Sequence, residues 1–246
     1  MTPEFFIALA IILFLSALLH GSIGFGFPMI ATPLLALFTD IQTAIMFTLI
    51  PTILVNISSI ISEERFINVI KQFTPFALLT MSGSAVGTFI LIYVNSNAFK
   101  FLLALMILIY LFMDKLKIDS TVVQKYPKVS LGFAGVLGGL TNVMAPILIM
   151  FALESKYSKS QTIQFSNLCF LFGKLIQLLI FSLLGSLSVQ EVSFSLGSLV
   201  FVGIALYFGF MIKRRIDAKA YNRFIKLLLF CISMMLLYQV VSGEVM

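Results

Sequence analysis

The sequence predicts an all-α polytopic integral membrane protein of two inverted repeats. Each repeat is a Gly/Pro-broken helical pair, drawn here as re-entrant, plus three transmembrane helices. Three observations predict that class. The chain of 246 residues is 60% hydrophobic and only 11% charged, whereas an ordinary soluble domain is about 25% charged. Sixteen Lys and Arg with ten Asp and Glu are too few to solvate a globular surface, which excludes a soluble enzyme, a disordered chain and a nucleic-acid binder. The apolar residues gather into stretches near the length of about 20 residues that a crossing needs. Two of these stretches, one in each half, are interrupted by glycine and proline.

In chain order the apolar stretches run at 5–38, 41–61, 72–94, 101–113, 129–153, 160–184, 192–212 and 224–243. The first is too long for one crossing: its 34 residues would make a helix of about 51 Å. It is broken by Gly21-Ser22-Ile23-Gly24-Phe25-Gly26-Phe27-Pro28, since glycine and proline both disfavour helix interiors. The stretches at 41–61 and 72–94 each fit one crossing, and 101–113 is short enough that it is expected to begin at Ala98. The stretch at 129–153 carries the second break, with Gly132, Gly135, Gly138, Gly139, Thr141, Asn142 and Pro146. The last three stretches each fit one crossing. Met1-Thr2-Pro3-Glu4 has no basic segment ahead of the first apolar run, so no cleaved signal is expected. Cys169 and Cys231 have no disulfide or metal-ligand spacing and are expected to be buried thiols.

The halves resemble each other. Pro33 in GFPMIATP is matched with Pro146 in GGLTNVMAP, which sets Gly26 against Gly139. QTAIMFTLI from Gln42 parallels QTIQFSNLC from Gln161, and AFKFLLALMIL from Ala98 parallels AYNRFIKLLLF from Ala220, so the offsets are 113, 119 and 122. Charge placement then sets the topology. If every stretch crosses once, Lys and Arg divide 6 to 9 between the faces, apart from Lys174. If 5–38 and 129–153 each return to the side they entered, the split becomes 14 to 1, with Lys100 alone on one face. The positive-inside rule favours the second arrangement. Three crossings per repeat then invert the second repeat, put both termini outside the cytoplasm, and let the two breaks meet near the midplane. A single tilted crossing at 129–153 with a weak charge bias is the alternative. The expected divisions are 1–113, a cytoplasmic connection at 114–128, and 129–246.

Broken helices expose backbone N–H groups whose dipoles favour an anion, and glycine lets a ligand approach closely. Gly24, Gly26, Pro28, Pro33, Gly138, Gly139, Thr141, Asn142 and Pro146 are therefore candidate binding residues; close helix packing is the competing role for the glycines. Lys174 is the formal charge deepest in any stretch, beyond snorkelling reach of the nearer end; an anionic substrate or carbonyls at the breaks are its candidate partners, and a lysine kept neutral by desolvation is the alternative. Gln164, Asn167, Lys174 and Gln177 fall on one side of their helix, and Asn56 is the lone polar residue of the matching region. His20, the only histidine, is a candidate proton carrier or a neutral imidazole bonded to a carbonyl of the broken helix. The chain carries no nucleophile–base pair, no paired carboxylates within a stretch and no P-loop, so neither an enzyme nor an ATPase is expected, and no cofactor.

At HGSIGFGFPMIATP and GFAGVLGGLTNVMAP the chain resembles the TauE/SafE sulfite-exporter family over nearly its whole length. The resemblance implies two related halves, each opened by a Gly-rich, Pro-containing broken helix. It also implies transport of small sulfur anions such as sulfite or sulfonates, sulfoacetate among them. The second motif departs from the family's longer glycine string at Thr141-Asn142. The expected protein is a secondary transporter in the cytoplasmic (inner) membrane, working by alternating access. Its expected partners are a small anion and the lipid bilayer, with a homodimer left open and no nucleic acid. A passive anion channel or a subunit of a larger complex is the alternative, and a membrane-embedded enzyme the remotest one.

Overall fold

The computed structural model describes residues 2–64, 66–94, 97–113, 121–213 and 218–243. Among the described residues the chain is all-helical, in the order α1 (Pro3–Ile23), α2 (Phe27–Ala36), α3 (Ile41–Ile61), α4 (Phe66–Tyr93), α5 (Ala98–Phe112), α6 (Thr121–Lys125), α7 (Pro127–Thr141), α8 (Ala145–Glu154), α9 (Lys159–Leu183), α10 (Val189–Ile212) and α11 (Ala218–Ser242). Six helices, α1, α3, α4, α9, α10 and α11, are long and apolar enough to cross a membrane; α2, α5 and α8 are shorter apolar helices. Arg65, Lys115, Lys117, Arg214 and Arg215, used above to sort charge, lie outside the described residues.

Local chemistry sets the helix starts. The Asp40 carboxylate accepts from Thr43 N–H at 2.9 Å and begins α3. Ser158 with Gln161 and Ser188 with Glu191 form capping boxes on α9 and α10, each satisfying amides that the first turn leaves unpaired. α5 begins at Ala98, as its sequence suggested.

Small residues set the packing. α7 follows α4 in the same direction: a Cβ at Gly83 would run into the Gly132 carbonyl, and one at Gly87 into the Val136 carbonyl. α10 follows α1 likewise, with a Cβ at Gly21 only 2.8 Å from Leu206 O. In lipid such close backbone approach replaces the hydrophobic drive that holds soluble helices together. α3 and α9 cross in the centre and run antiparallel, since Gln164 Nε2 at the start of α9 donates to Ile60 O and Glu64 O at the end of α3, at 3.4 and 3.1 Å.

Aromatic contacts join the helix ends. Phe5 and Phe6 at the start of α1 pack on Phe47, near the start of α3, with ring centroids 5.7 and 6.3 Å apart. Phe151 near the end of α8 stacks on Phe165, near the start of α9, at 5.4 Å. An aromatic cluster therefore closes each end. At the N-terminal end Phe47 meets Phe194 at 6.1 Å and 87°. At the opposite end Phe76 meets Phe165 at 6.1 Å and 80°. That opposite end also carries the ion pair between Lys213 and Glu63, at 2.5 Å. Large apolar side chains face outward, Val200 at 71% and Val241 at 85% exposure among them, as lipid contact requires. Cys169 is buried as expected, but Cys231 is exposed, because it falls on an outward face of α11.

Candidate functional site

The first break forms where Gly24 and Gly26 take φ of +99° and +107°, left-handed values that glycine accepts without a Cβ clash. Gly24 N–H turns back to His20 O at 2.6 Å and ends α1. α2 restarts at Phe27-Pro28 with no side-chain cap, and Pro28 has no N–H to leave unpaired. Phe27 N–H donates to His20 Nδ1 at 3.0 Å. The ring proton therefore sits on Nε2, 2.8 Å from Ser59 Oγ. His20 is a buried, neutral imidazole with both nitrogens engaged, tied to an amide of α2 rather than to a carbonyl. Across the break, Asn167 Nδ2 donates to Gly24 O and to Ile163 O, both at 2.7 Å.

The second break has the same plan with different residues. Asn142 takes φ +63°, and its N–H returns to Gly138 O at 3.0 Å. Thr141 Oγ1 donates to Leu137 O at 2.8 Å and accepts from Val143 N–H at 3.2 Å. α8 restarts at Ala145-Pro146, again without a side-chain cap. Pro28 and Pro146 hold the same place in their half-helices, whereas Pro33 lies inside α2. The sequence register of Pro33 with Pro146, and of Gly26 with Gly139, is thus corrected to Pro28 with Pro146 and Gly24 with Asn142. The left-handed stop and the helix restart set equivalence, not the matching letters. Gly139 lies before the break, where a Cβ would be 2.5 Å from Ser84 O, so it serves packing against α4. A Cβ at Gly138 would meet the Met144 side chain.

Lys174 stands at this second break. Its ammonium donates to Asn142 Oδ1 and Gln177 Oε1. Gln177 Nε2 in turn donates to Gly139 O at 3.0 Å. Asn142 Nδ2 reaches Thr32 Oγ1 on α2 at 2.8 Å and Thr48 Oγ1 on α3 at 3.2 Å. Both of Lys174's acceptors are neutral amides, and among the described residues no carboxylate pairs with it. An ammonium has three donors; the third has no partner among the described residues. Asn56 on α3 is 1% exposed and neither atom of its amide is hydrogen-bonded.

The breaks do not meet at one level. Asn167 contacts the first and Gln177 the second, and these residues lie ten apart on α9, about 15 Å along its axis. The two breaks are thus offset along α9, with Thr32, Thr48 and Lys174 joined to the second through Asn142. Gln164 leaves the interior stripe, tying α9 to the end of α3. Sequence reading missed Ser16, Thr32, Thr48, Thr52, Ser59 and Ser166, all buried. Thr48, Thr52, Asn56 and Ser59 share one face of α3 by helical spacing. That stripe was visible, but single hydroxyls in apolar helices usually bond their own backbone, as Thr52 does to Thr48 O at 2.5 Å.

Among the described residues no three His, Cys, Asp or Glu gather as a metal site. Neither the curated proteins nor the solved structures gave a match to this chain. The family model described as "Sulfite exporter TauE/SafE" matches residues 9–236, a range that takes in both breaks and Lys174. With a match over most of its length, this chain belongs to the TauE/SafE sulfite exporter family and is a multi-pass membrane transporter, not an enzyme.

Proposed function

We propose that the protein is a secondary transporter of small sulfur-containing anions, such as sulfite or sulfonates, which bind in the polar interior between the two breaks and cross by alternating access. Lys174 carries the reading. It is 1% exposed, its protein partners are amide oxygens, and a cation in a membrane core with no carboxylate paired to it among the described residues calls for a mobile anion. Asn142 and Gln177 hold it through their amide oxygens, Asn56 adds a buried amide with no hydrogen bond, and the starts of α2 and α8, marked by Pro28 and Pro146, add amide dipoles. Gly24 and Gly26 open the first break, Gly139 keeps the second close to α4 and Gly138 leaves room for Met144, Thr141 and Asn142 cap α7, and Asn167 holds α9 to Gly24.

The halves are read as inverted repeats, 1–113 and 129–246, joined by a cytoplasmic connection at 114–128. In support, exchanging α1 with α7, α3 with α9 and α4 with α10 maps the main contacts onto one another: α4 lies along α7 as α10 lies along α1. Thr48 from α3 reaches the second break as Asn167 from α9 reaches the first. The connection, with Lys125, Lys128, Lys156, Lys159 and Lys213, is assigned to the cytoplasmic face. This places both termini outside.

Uptake of radiolabelled sulfite, thiosulfate, sulfoacetate, taurine and isethionate into proteoliposomes, with a carboxylate control, tests the function. At least one sulfur anion should show saturable uptake and counterflow. Lys174→Gln should reduce that uptake at least tenfold at an unchanged thermal transition. Wild-type uptake by that variant would remove Lys174 from the site, and no uptake of any sulfur anion would sink the transporter reading.

A further inference from the structure

Among the described residues, five of the six buried side-chain polar atoms with no hydrogen-bond partner belong to four residues around the first break: Ser16 Oγ, Asn56 Nδ2 and Oδ1, Ser166 Oγ and Asn167 Oδ1. Contacts tie these residues together. Ser16 lies one turn before His20 on α1, His20 bonds Ser59, and Asn56 lies one turn before Ser59 on α3. On α9, Ile163 packs against Gly24, Asn167 bonds Gly24 O, and Ser166 shares their face at helical spacing. Exposure of the four residues is 0, 1, 3 and 1% in chain order. Beside them, a Cβ on Gly26 would meet no atom within 4 Å.

The chemistry of the unused atoms is lopsided. Asn167 commits both amide hydrogens to carbonyls, which fixes the orientation of the amide and leaves Oδ1 as an acceptor. Ser166 and Ser16 add two hydroxyl oxygens and Asn56 a second amide oxygen. An anion could take the hydroxyl hydrogens and the Asn56 N–H groups but would leave the two amide oxygens unmet, whereas a cation can be met by all four side-chain oxygens. The C-terminal end of α1 points here too, ending at Gly24. That end of a half-helix, with its negative dipole, is where a membrane carrier holds a cation. No carboxylate is among the ligands, so the charge matched is that of a monovalent ion, since calcium and magnesium sites draw on carboxylates.

We propose that the first break binds a small alkali-metal cation, ligated by oxygens of Ser16, Asn56, Ser166 and Asn167 and by carbonyls at the end of α1, and that this ion is a co-substrate. The co-substrate role rests on the anion-transport reading above; the binding does not. Asn167 and Lys174 are seven residues apart on α9, about 10 Å along its axis. The bound ion and the lysine then place two positive charges in one interior, with the anion between them, so cation and anion reinforce each other's binding. Asn56, with a free donor as well as a free acceptor, can touch both.

The test is the thermal transition of the purified full chain in NaCl, LiCl, KCl and choline chloride at equal ionic strength, with and without sulfite. One alkali cation should raise Tm saturably over choline, on the order of several degrees. Ser166→Ala and Asn56→Leu should abolish that rise. Neither side chain has a hydrogen bond to lose, so both variants should be at least as stable as the parent in choline. Equal transitions in all four salts, or a rise that survives in both variants, overturns the proposal. So does a rise produced in choline by taurine, because the oxygens would then be receiving a substrate's ammonium group. A cation-specific rise without any effect of sulfite sustains the ion site while counting against the anion reading alone.

Discussion

Asn142 does three things at one position. Its backbone turns left-handed to end α7, its Oδ1 accepts from Lys174, and its Nδ2 binds the hydroxyls of Thr32 and Thr48. Glycine can replace the first role but neither of the others. Asn142→Gly should therefore leave the break intact and cost about 1–3 kcal/mol through the unpaired polar groups left behind, seen as a lower thermal transition in detergent. Asn142→Leu, which also cannot take the left-handed turn easily, should be worse. An unchanged transition for Asn142→Leu would refute this account. The sequence announced Asn142 and Lys174 through their rarity in apolar surroundings. It did not announce that they bond each other, because residues on different helices leave no spacing to read. It also hid Ser16 and Ser166, whose hydroxyls look like ordinary helix residues until their backbone acceptors are seen to be unused.

Among the helices, the α4–α7 seam is the tightest contact between the halves. A Cβ at Gly135 would strike the Thr80 carbonyl, whereas one at Gly132 meets nothing within 4 Å. Gly135→Leu should cost ~3 kcal/mol or more and lower the amount of folded protein recovered. Gly132→Ala should be neutral or stabilising by about 0.5–1 kcal/mol, the usual gain within a helix. Equal behaviour of the two variants would show that the seam is not set by backbone approach. The long helices were legible because their length and hydropathy match a bilayer. The breaks were legible because glycine and proline have no other reason to cluster there. Their depth was not legible: α1 and α7 stop where Gly24 and Asn142 turn left-handed, and only the contacts with Asn167 and Gln177 show that these stops lie at different levels.

For the molecule as a whole, topology and the closure of its ends matter most. A reporter fused after α11 should be active only on the non-cytoplasmic side, and a cytoplasmic signal would refute the returning broken pairs. At the opposite end, Glu63 joins the end of α3 to Lys213 at the end of α10. Burial alone pushes its carboxyl up, but the hydrogen bond and charge of Lys213 more than offset this and hold the pKa below 4.5. A depressed carboxyl adds stability that is complete above its unfolded value and lost as pH falls through the folded value. Glu63→Gln should thus lower the thermal transition at neutral pH, with parent and variant converging under acid conditions. A gap that stays constant with pH would mean the ion pair contributes nothing.

The two edge-on phenylalanine pairs have a consequence for direction. Phe47 with Phe194 and Phe76 with Phe165 have the same 6.1 Å centroid separation at opposite ends of the bundle. On the alternating-access reading, opening either end breaks a contact of the same kind and size. Opening the second end also parts the Lys213–Glu63 ion pair, so the ends are alike in this aromatic contact and unlike in charge. Net flow would follow whatever gradients the membrane maintains, so one carrier could load or empty a cell, and a family name built on export would describe a circumstance rather than a property of the fold.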